Sequence, residues 1–200
     1  MTKYVFDMEA YSYSQGIKAI QLMFEAAKGA LNAHHSDIEM AKNEYDRHLD
    51  AGGEPIGEWE DGYKLWDQED AYRLEQLAME DAIVELRVAT VIAIYHFWER
   101  HIPNPSNKRR IHRQLIADAR ANLVKLHPDI DALCYAANYL KHGAKKWREK
   151  LEGLYPDRFK PSGYAENWLA SFRTLHIQDS DITWFVEIAN ISQRPITNLS

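Results

Sequence analysis

The sequence predicts an all-α fold, and three features support this. Apolar residues recur with a helical period along most of the chain. Residues that start or stop helices fall between these periodic stretches, and strand signals are weak. The chain has 200 residues, which is enough for one domain with a full hydrophobic core. No stretch reaches the run of about 18 apolar residues that a membrane helix needs, so no membrane association is expected.

The amino-terminal region predicts one or two helices. Apolar residues with helical recurrence extend from about residue 9 to residue 33. Ser36 and Glu39 then have the spacing of a capping box. This pattern either starts a second helix that runs to Leu49 or lies inside a single continuous helix.

A break and a long second helix follow. Glycines and a proline in residues 51–57 interrupt the helical pattern, and an acidic connector containing tryptophan runs to about Asp67. The next helix is predicted over about 69–101, and it is apolar nearly all round from Ala82 to Trp98. We therefore expect it to be the central, most buried helix.

The second half of the chain predicts four shorter helices. The first is basic and amphipathic and ends near Leu126. The second has Pro128 at its first position and stops at Gly143, because proline suits a helix start and glycine a helix end. A short basic helix over 145–154 and a terminal helix opening near Ser180 or Asp181 complete the set, the last with inward-facing Trp184, Phe185 and Ile188.

Charge is distributed unevenly along the chain. Residues 1–100 carry 20 acidic and 9 basic side chains, whereas residues 101–160 carry 6 acidic and 13 basic ones. This basic stretch would attract an anionic ligand such as RNA, although basic helices also pack beside acidic ones for solubility alone. The single cysteine, Cys134, excludes a disulfide within the chain, so a cytoplasmic location is expected.

A group of three polar residues in the basic stretch could perform phosphodiester chemistry. Asn138 and His142 are four residues apart, so they share one helix face, and Lys141 lies beside them. Histidine can transfer a proton near neutral pH, lysine can hold a phosphate, and asparagine can orient either. Each of the three also has a purely structural interpretation, as a residue of a helix end or of a contact between helices.

A second polar pair lies on the predicted central helix. His96 and Glu99 are one turn apart and are expected to face the first group. Glu99 would fix the tautomer of a histidine, or His96 would be a second proton carrier. The structural alternatives are a buried His96 that bonds to a neighbouring helix and a Glu99 that pairs with Arg100 or Arg110. The Glu-x-x-His repeats of carboxylate-bridged metal sites are not present, so neither a metal nor another cofactor is expected.

Three stretches resemble bacterial all-helical proteins of the HEPN superfamily. They are residues 93–99 (AIYHFWE), residues 137–143 (ANYLKHG), and residues 154–159 (LYPDRF) followed by 177–181 (IQDSD). The resemblance implies a HEPN-like helical bundle with extra helices at both termini, in which 63–200 is the core and 1–62 an N-terminal extension or hairpin. It also implies a homodimer with RNA and an antitoxin or other protein as partners.

The resemblance leaves two functions open. The first is a metal-independent ribonuclease of a stress or phage-defence system, with His142 as acid or base and with Asn138, Lys141, His96 and Glu99 as the other catalytic residues. The second is a catalytically inactive bundle that binds RNA, a nucleotide or a protein. Ala137 stands where the family's motif usually has arginine, and this difference is what keeps the second function open.

Overall fold

A computed structural model describes residues 8–104, 110–159 and 175–193. Within these ranges the chain is built from helices and one small two-stranded sheet, so the predicted all-α class is confirmed. None of the helices described there is long and apolar enough to cross a bilayer. The elements are α1 (Met8–Asp50), β1 (Gly57–Glu60), β2 (Tyr63–Asp67), α2 (Gln68–His101), α3 (His112–Ala121), α4 (Ile130–His142), α5 (Lys145–Leu154) and α6 (Asp179–Ile191).

The chain divides into two compact units. One comprises Met1–Met23 and Arg87–Ser200, and the other comprises Phe24–Leu86. Helices α1 and α2 each contribute residues to both units. Helix α1 runs without interruption through the capping-box pattern at Ser36, so the amino-terminal region forms one helix and not two. The predicted boundary after residue 62 stays a prediction.

The first unit has a well-defined apolar core. The terminal helix α6 buries Phe185 and Ile188 completely, as its sequence predicts, and α4 packs against both α5 and α6. In α2, burial is concentrated near the carboxyl end, where Ile94 and Trp98 are fully inaccessible. Leu77, by contrast, is 50% exposed. The expectation that α2 is buried from Ala82 to Trp98 thus holds only from Thr90 onward.

Helix α4 ends as the sequence predicts. Gly143 follows it with φ of 64°, in the left-handed region, and its N–H donates to the carbonyl of Tyr139 over 2.7 Å. Glycine adopts this conformation without the steric cost that a Cβ atom would bring. The short basic helix α5 then begins at Lys145, so the chain reverses within two residues and returns along α4.

The second unit contains an element that the sequence did not indicate. The predicted connector forms an antiparallel hairpin of β1 and β2, with Glu60 opposite Tyr63 across the turn. Asp61 and Gly62 at its tip both have positive φ, and Asp-Gly is a favoured pair for such a turn. Predictions that fall on residues 105–109 and 160–174, including the basic residues Lys108 and Arg109, lie outside the described residues.

Candidate functional site

The two polar groups predicted from the sequence meet through Lys141. On α2, His96 Nδ1 lies 2.9 Å from Glu99 Oε2, and the ammonium nitrogen of Lys141 on α4 lies 3.2 Å from His96 Nε2. The residues are 45 positions apart in sequence, so packing of α2 beside α4 creates the contact. We call His96, Glu99 and Lys141 the Glu-His-Lys cluster.

The hydrogen bonds of the Glu-His-Lys cluster fix the tautomer of His96. An ammonium group can only donate, so Nε2 of His96 must be the unprotonated, accepting nitrogen in this contact. Nδ1 then carries the proton and donates it to Glu99. The side chains of His96 and Glu99 are 37% and 31% accessible, and Lys141 is exposed. The imidazole of His96, with a carboxylate at Nδ1 and an ammonium group at Nε2, is therefore accessible from solvent.

The structure places the other two predicted residues differently. Asn138 is half-buried, and its amide nitrogen donates to the carbonyl of Cys134 over 2.8 Å and to its sulfur over 3.3 Å. His142 is exposed at the last residue of α4, and within the described ranges it has no hydrogen-bonding partner. It is Lys141, not His142, that joins the group on α4 to His96.

Ala137 stands where the family's motif usually has arginine, and Arg100 and Arg110 are the arginines nearby in the sequence that could supply the charge instead. Ala137 is 2% exposed, so its position faces the interior. Arg110 is occupied, because its guanidinium donates to the carbonyls of Ile102 and Pro103 and to Asp118. Arg100 is exposed, and it donates through Nε to the carbonyl of His96 at 3.3 Å. Arg100 is thus the guanidinium nearest to the cluster on α2.

Glu99 also lines a surface depression. This depression has a volume of about 400 Å³, and Arg100, His101 and Arg110 contribute to its wall. It is open to solvent and carries basic groups beside the carboxylate. Among the described residues, no three or more His, Cys, Asp or Glu side chains are arranged to hold a metal ion.

A partly buried polar network joins α2, α3 and α4 near the cluster, and no sequence pattern predicted it. The Tyr95 hydroxyl contacts Cys134 and lies 3.5 Å from His112 Nδ1, while His112 Nε2 lies 2.7 Å from Asp131. Burial raises the pKa of the Cys134 thiol to about 12 and also raises the pKa of Tyr95. Burial lowers the pKa of His112, and Asp131 only partly opposes this. These residues come from three helices, so no spacing along the chain reveals them.

The third stretch of the family resemblance, residues 154–159 with 177–181, has a structural role. Arg158 donates to the carboxylate of Asp181, and its guanidinium carbon lies 4.3 Å from the ring centroid of Trp184. Asp181 is only 3% exposed and also accepts from the N–H of Gln178, so it closes the first turn of α6. This ion pair holds the segment after α5 against α6.

Comparisons with known proteins identify no family. Neither the protein-family models, nor the curated proteins, nor the solved structures gave a match to this chain.

Proposed function

We propose that this chain is a HEPN-like, metal-independent ribonuclease of a stress or phage-defence system, acting in the cytoplasm. The observation that carries the proposal is the contact of 3.2 Å between Lys141 and His96. It brings a proton carrier, its supporting carboxylate and a cation together at the surface. They can supply the base and the cation that phosphodiester cleavage by an internal nucleophile needs, and the reaction also needs an acid for the leaving 5′ oxygen.

In the proposed reaction His96 is the base. A phosphate group of the RNA draws the Lys141 ammonium from His96 Nε2, which then accepts the proton of the ribose 2′-hydroxyl. The 2′ oxygen attacks phosphorus, and the bond to the 5′ oxygen breaks. Glu99 stabilises the imidazolium that forms, as the aspartate does in a Ser-His-Asp triad.

The leaving 5′ oxygen takes its proton from His142 in the same proposal. His142 follows Lys141 on the last turn of α4, and it is exposed. Lys141 stabilises the charge that develops on the phosphoryl oxygens. Asn138, whose amide nitrogen is bonded within its own helix, supports α4 rather than touching the substrate. The products are a 2′,3′-cyclic phosphate and a free 5′-hydroxyl.

The test is cleavage of a mixed-sequence RNA by the purified full chain in the presence of a chelator. We expect 2′,3′-cyclic phosphate ends, and we expect their loss in His96→Ala and in His142→Ala. His35→Ala is the matched control, because His35 lies 3.9 Å from Glu39 on α1 and has no hydrogen-bonded lysine among the residues that the structure describes. Cleavage that persists in His96→Ala, or absence of cleavage by the unmodified protein, would refute the proposal.

A second candidate function is RNA binding without cleavage. It is favoured by the inward position of Ala137, which leaves no guanidinium at the usual motif place. In that case the unmodified protein binds RNA and leaves it intact, and Lys141→Ala weakens binding in a salt-dependent way whereas His96→Ala does not. The family resemblance alone supports the further proposals that the chain forms a homodimer and that it binds an antitoxin or another protein.

A further inference from the structure

A cavity of about 480 Å³ is formed by the start of α1 and the chain at the ends of α2 and α6. It differs from the depression beside Glu99, although Arg100 and His101 contribute to both. All of its lining residues belong to one compact unit, and they lie within residues 8–13, 100–103 and 192–193 and at Val124. A cavity of this size with both apolar and polar walls is the usual form of a small-molecule site.

One part of the cavity wall is aliphatic. Ala10, Ile102 and Val124 are buried, and Met8 adds an exposed side chain beside them. An aliphatic group that covers this part of the wall loses contact with water, which favours binding. The cavity therefore suits a ligand with an apolar side group of moderate size.

Arg100 gives the wall a site for a carboxylate. Its Nε donates to the carbonyl of His96 at 3.3 Å, which orients the guanidinium. The two terminal nitrogens form no ion pair with any carboxylate among the residues that the structure describes. A guanidinium in this state can bind a carboxylate through two parallel hydrogen bonds.

Other parts of the wall favour an ammonium group. Helices α2 and α6 both end at the cavity, and the carboxyl end of a helix attracts cations. His101 Nδ1 donates to the carbonyl of Phe97 over 2.7 Å, so Nε2 of the neutral ring is an acceptor. Glu9 adds a carboxylate, and the side-chain oxygen of Gln193 is buried without a hydrogen-bond partner in the described part of the chain. A ligand that brings N–H donors matches these acceptors.

We propose that this cavity binds a free α-amino acid with an aliphatic side chain, such as leucine. Arg100 holds the carboxylate, the acceptors at the ends of α2 and α6 hold the ammonium group, and the aliphatic wall receives the side chain. A plain carboxylic acid leaves these acceptors unused and brings its charge near Glu9, whereas a plain amine leaves Arg100 unused. The binding site goes beyond the proposed ribonuclease and does not depend on it.

Isothermal titration calorimetry of the full chain with L-leucine tests the proposal. Isocaproate is leucine without its ammonium group, and isoamylamine is leucine without its carboxylate. We expect leucine to bind, and each analogue to bind about tenfold to a hundredfold more weakly, because each loses one set of charged hydrogen bonds. Absence of leucine binding would overturn the proposal, and so would an equal affinity for leucine and isocaproate.

Two pairs of variants locate the binding in this cavity. Arg100→Gln should weaken leucine binding about tenfold to a hundredfold, whereas Arg113→Gln, at an exposed arginine of α3 outside the wall, should not. Ser12→Trp introduces a large ring from an exposed position in the wall and should abolish binding. Ala19→Trp, at an exposed position further along α1 and outside the wall, should leave binding unchanged.

The variants at Arg100 and Ser12 change exposed side chains, so their helical circular dichroism should equal that of the unmodified protein. Unchanged leucine affinity in either variant would place the ligand elsewhere and overturn the proposal. Loss of affinity in Arg113→Gln or Ala19→Trp would also overturn it, because neither residue lines the cavity.

Discussion

Replacement of Gly143 by alanine tests how the end of α4 is fixed. A Cβ atom at Gly143 would meet no heavy atom within 4 Å, so the substitution causes no clash and its effect comes from the backbone alone. Holding a residue with a side chain at φ of 64° costs about 1–2 kcal/mol. Restriction of the unfolded chain returns about 0.4–1 kcal/mol. We expect Gly143→Ala to destabilise the protein by about 1 kcal/mol.

Gly153, near the carboxyl end of α5, supplies a matched control. It also has no heavy atom within 4 Å of an added Cβ, and it lies inside the helix without a positive φ. Alanine is favoured over glycine in a helix by up to about 1 kcal/mol, and by less near the helix end. Gly153→Ala should therefore stabilise the protein by about 0.5 kcal/mol.

The assay is urea unfolding of the two variants beside the unmodified protein, followed by circular dichroism. The midpoints should move in opposite directions with an unchanged slope, and the melting temperature should differ by about 2–4 °C per kcal/mol. Equal or parallel shifts in the two variants would refute the reasoning, because neither added Cβ atom meets another atom and only Gly143 has a positive φ.

Three further predictions concern His112, Cys134 and Gly16. Burial lowers the pKa of His112 in the folded state, so the unfolded chain takes up a proton first as the pH falls. The free energy of unfolding should therefore decrease below about pH 6.5 by up to about 1.4 kcal/mol per unit of pKa difference, and His112→Gln should flatten this decrease in urea titrations at several pH values. Cys134 is buried with its pKa raised to about 12, so it should react with iodoacetamide only at the rate of unfolding, as mass spectrometry under native and denaturing conditions would reveal. A Cβ atom at Gly16 would lie 2.1 Å from the ring of Phe97. Gly16→Ala should therefore destabilise the protein by about 1–3 kcal/mol, measured by urea unfolding. A smaller loss would mean that the Phe97 ring moves aside.

Local signals in the sequence predict some helix ends well, but α3 ends at Ala121 and not near Leu126, and α4 begins at Ile130 and not at Pro128. The bounds of α5 agree with those expected, and α4 ends at Gly143 because a glycine stop is a property of a few adjacent residues. The hairpin was missed because its strands are four and five residues long and accessible on both faces, so no alternation of buried and exposed residues marks them.

The candidate site was predictable only in part, for a different reason. His96 and Glu99 are neighbours on one helix, and their hydrogen bond follows from a spacing of three residues. Which residue of α4 reaches His96 depends on how two helices pack, and the sequence favoured His142 over Lys141 for the central role. The network of Tyr95 and His112 likewise exists only through packing of separate helices.

The hydroxyl of Tyr13 donates to the carbonyl of Ala189 over 2.8 Å, and the two residues are 176 positions apart. This bond joins α1 to α6 inside one compact unit. During synthesis, residues 8–23 must therefore wait for α6 to leave the ribosome before their packing is complete, whereas residues 24–86 are all available much earlier. A nascent chain stalled before α6 would leave the Tyr13 hydroxyl without this acceptor.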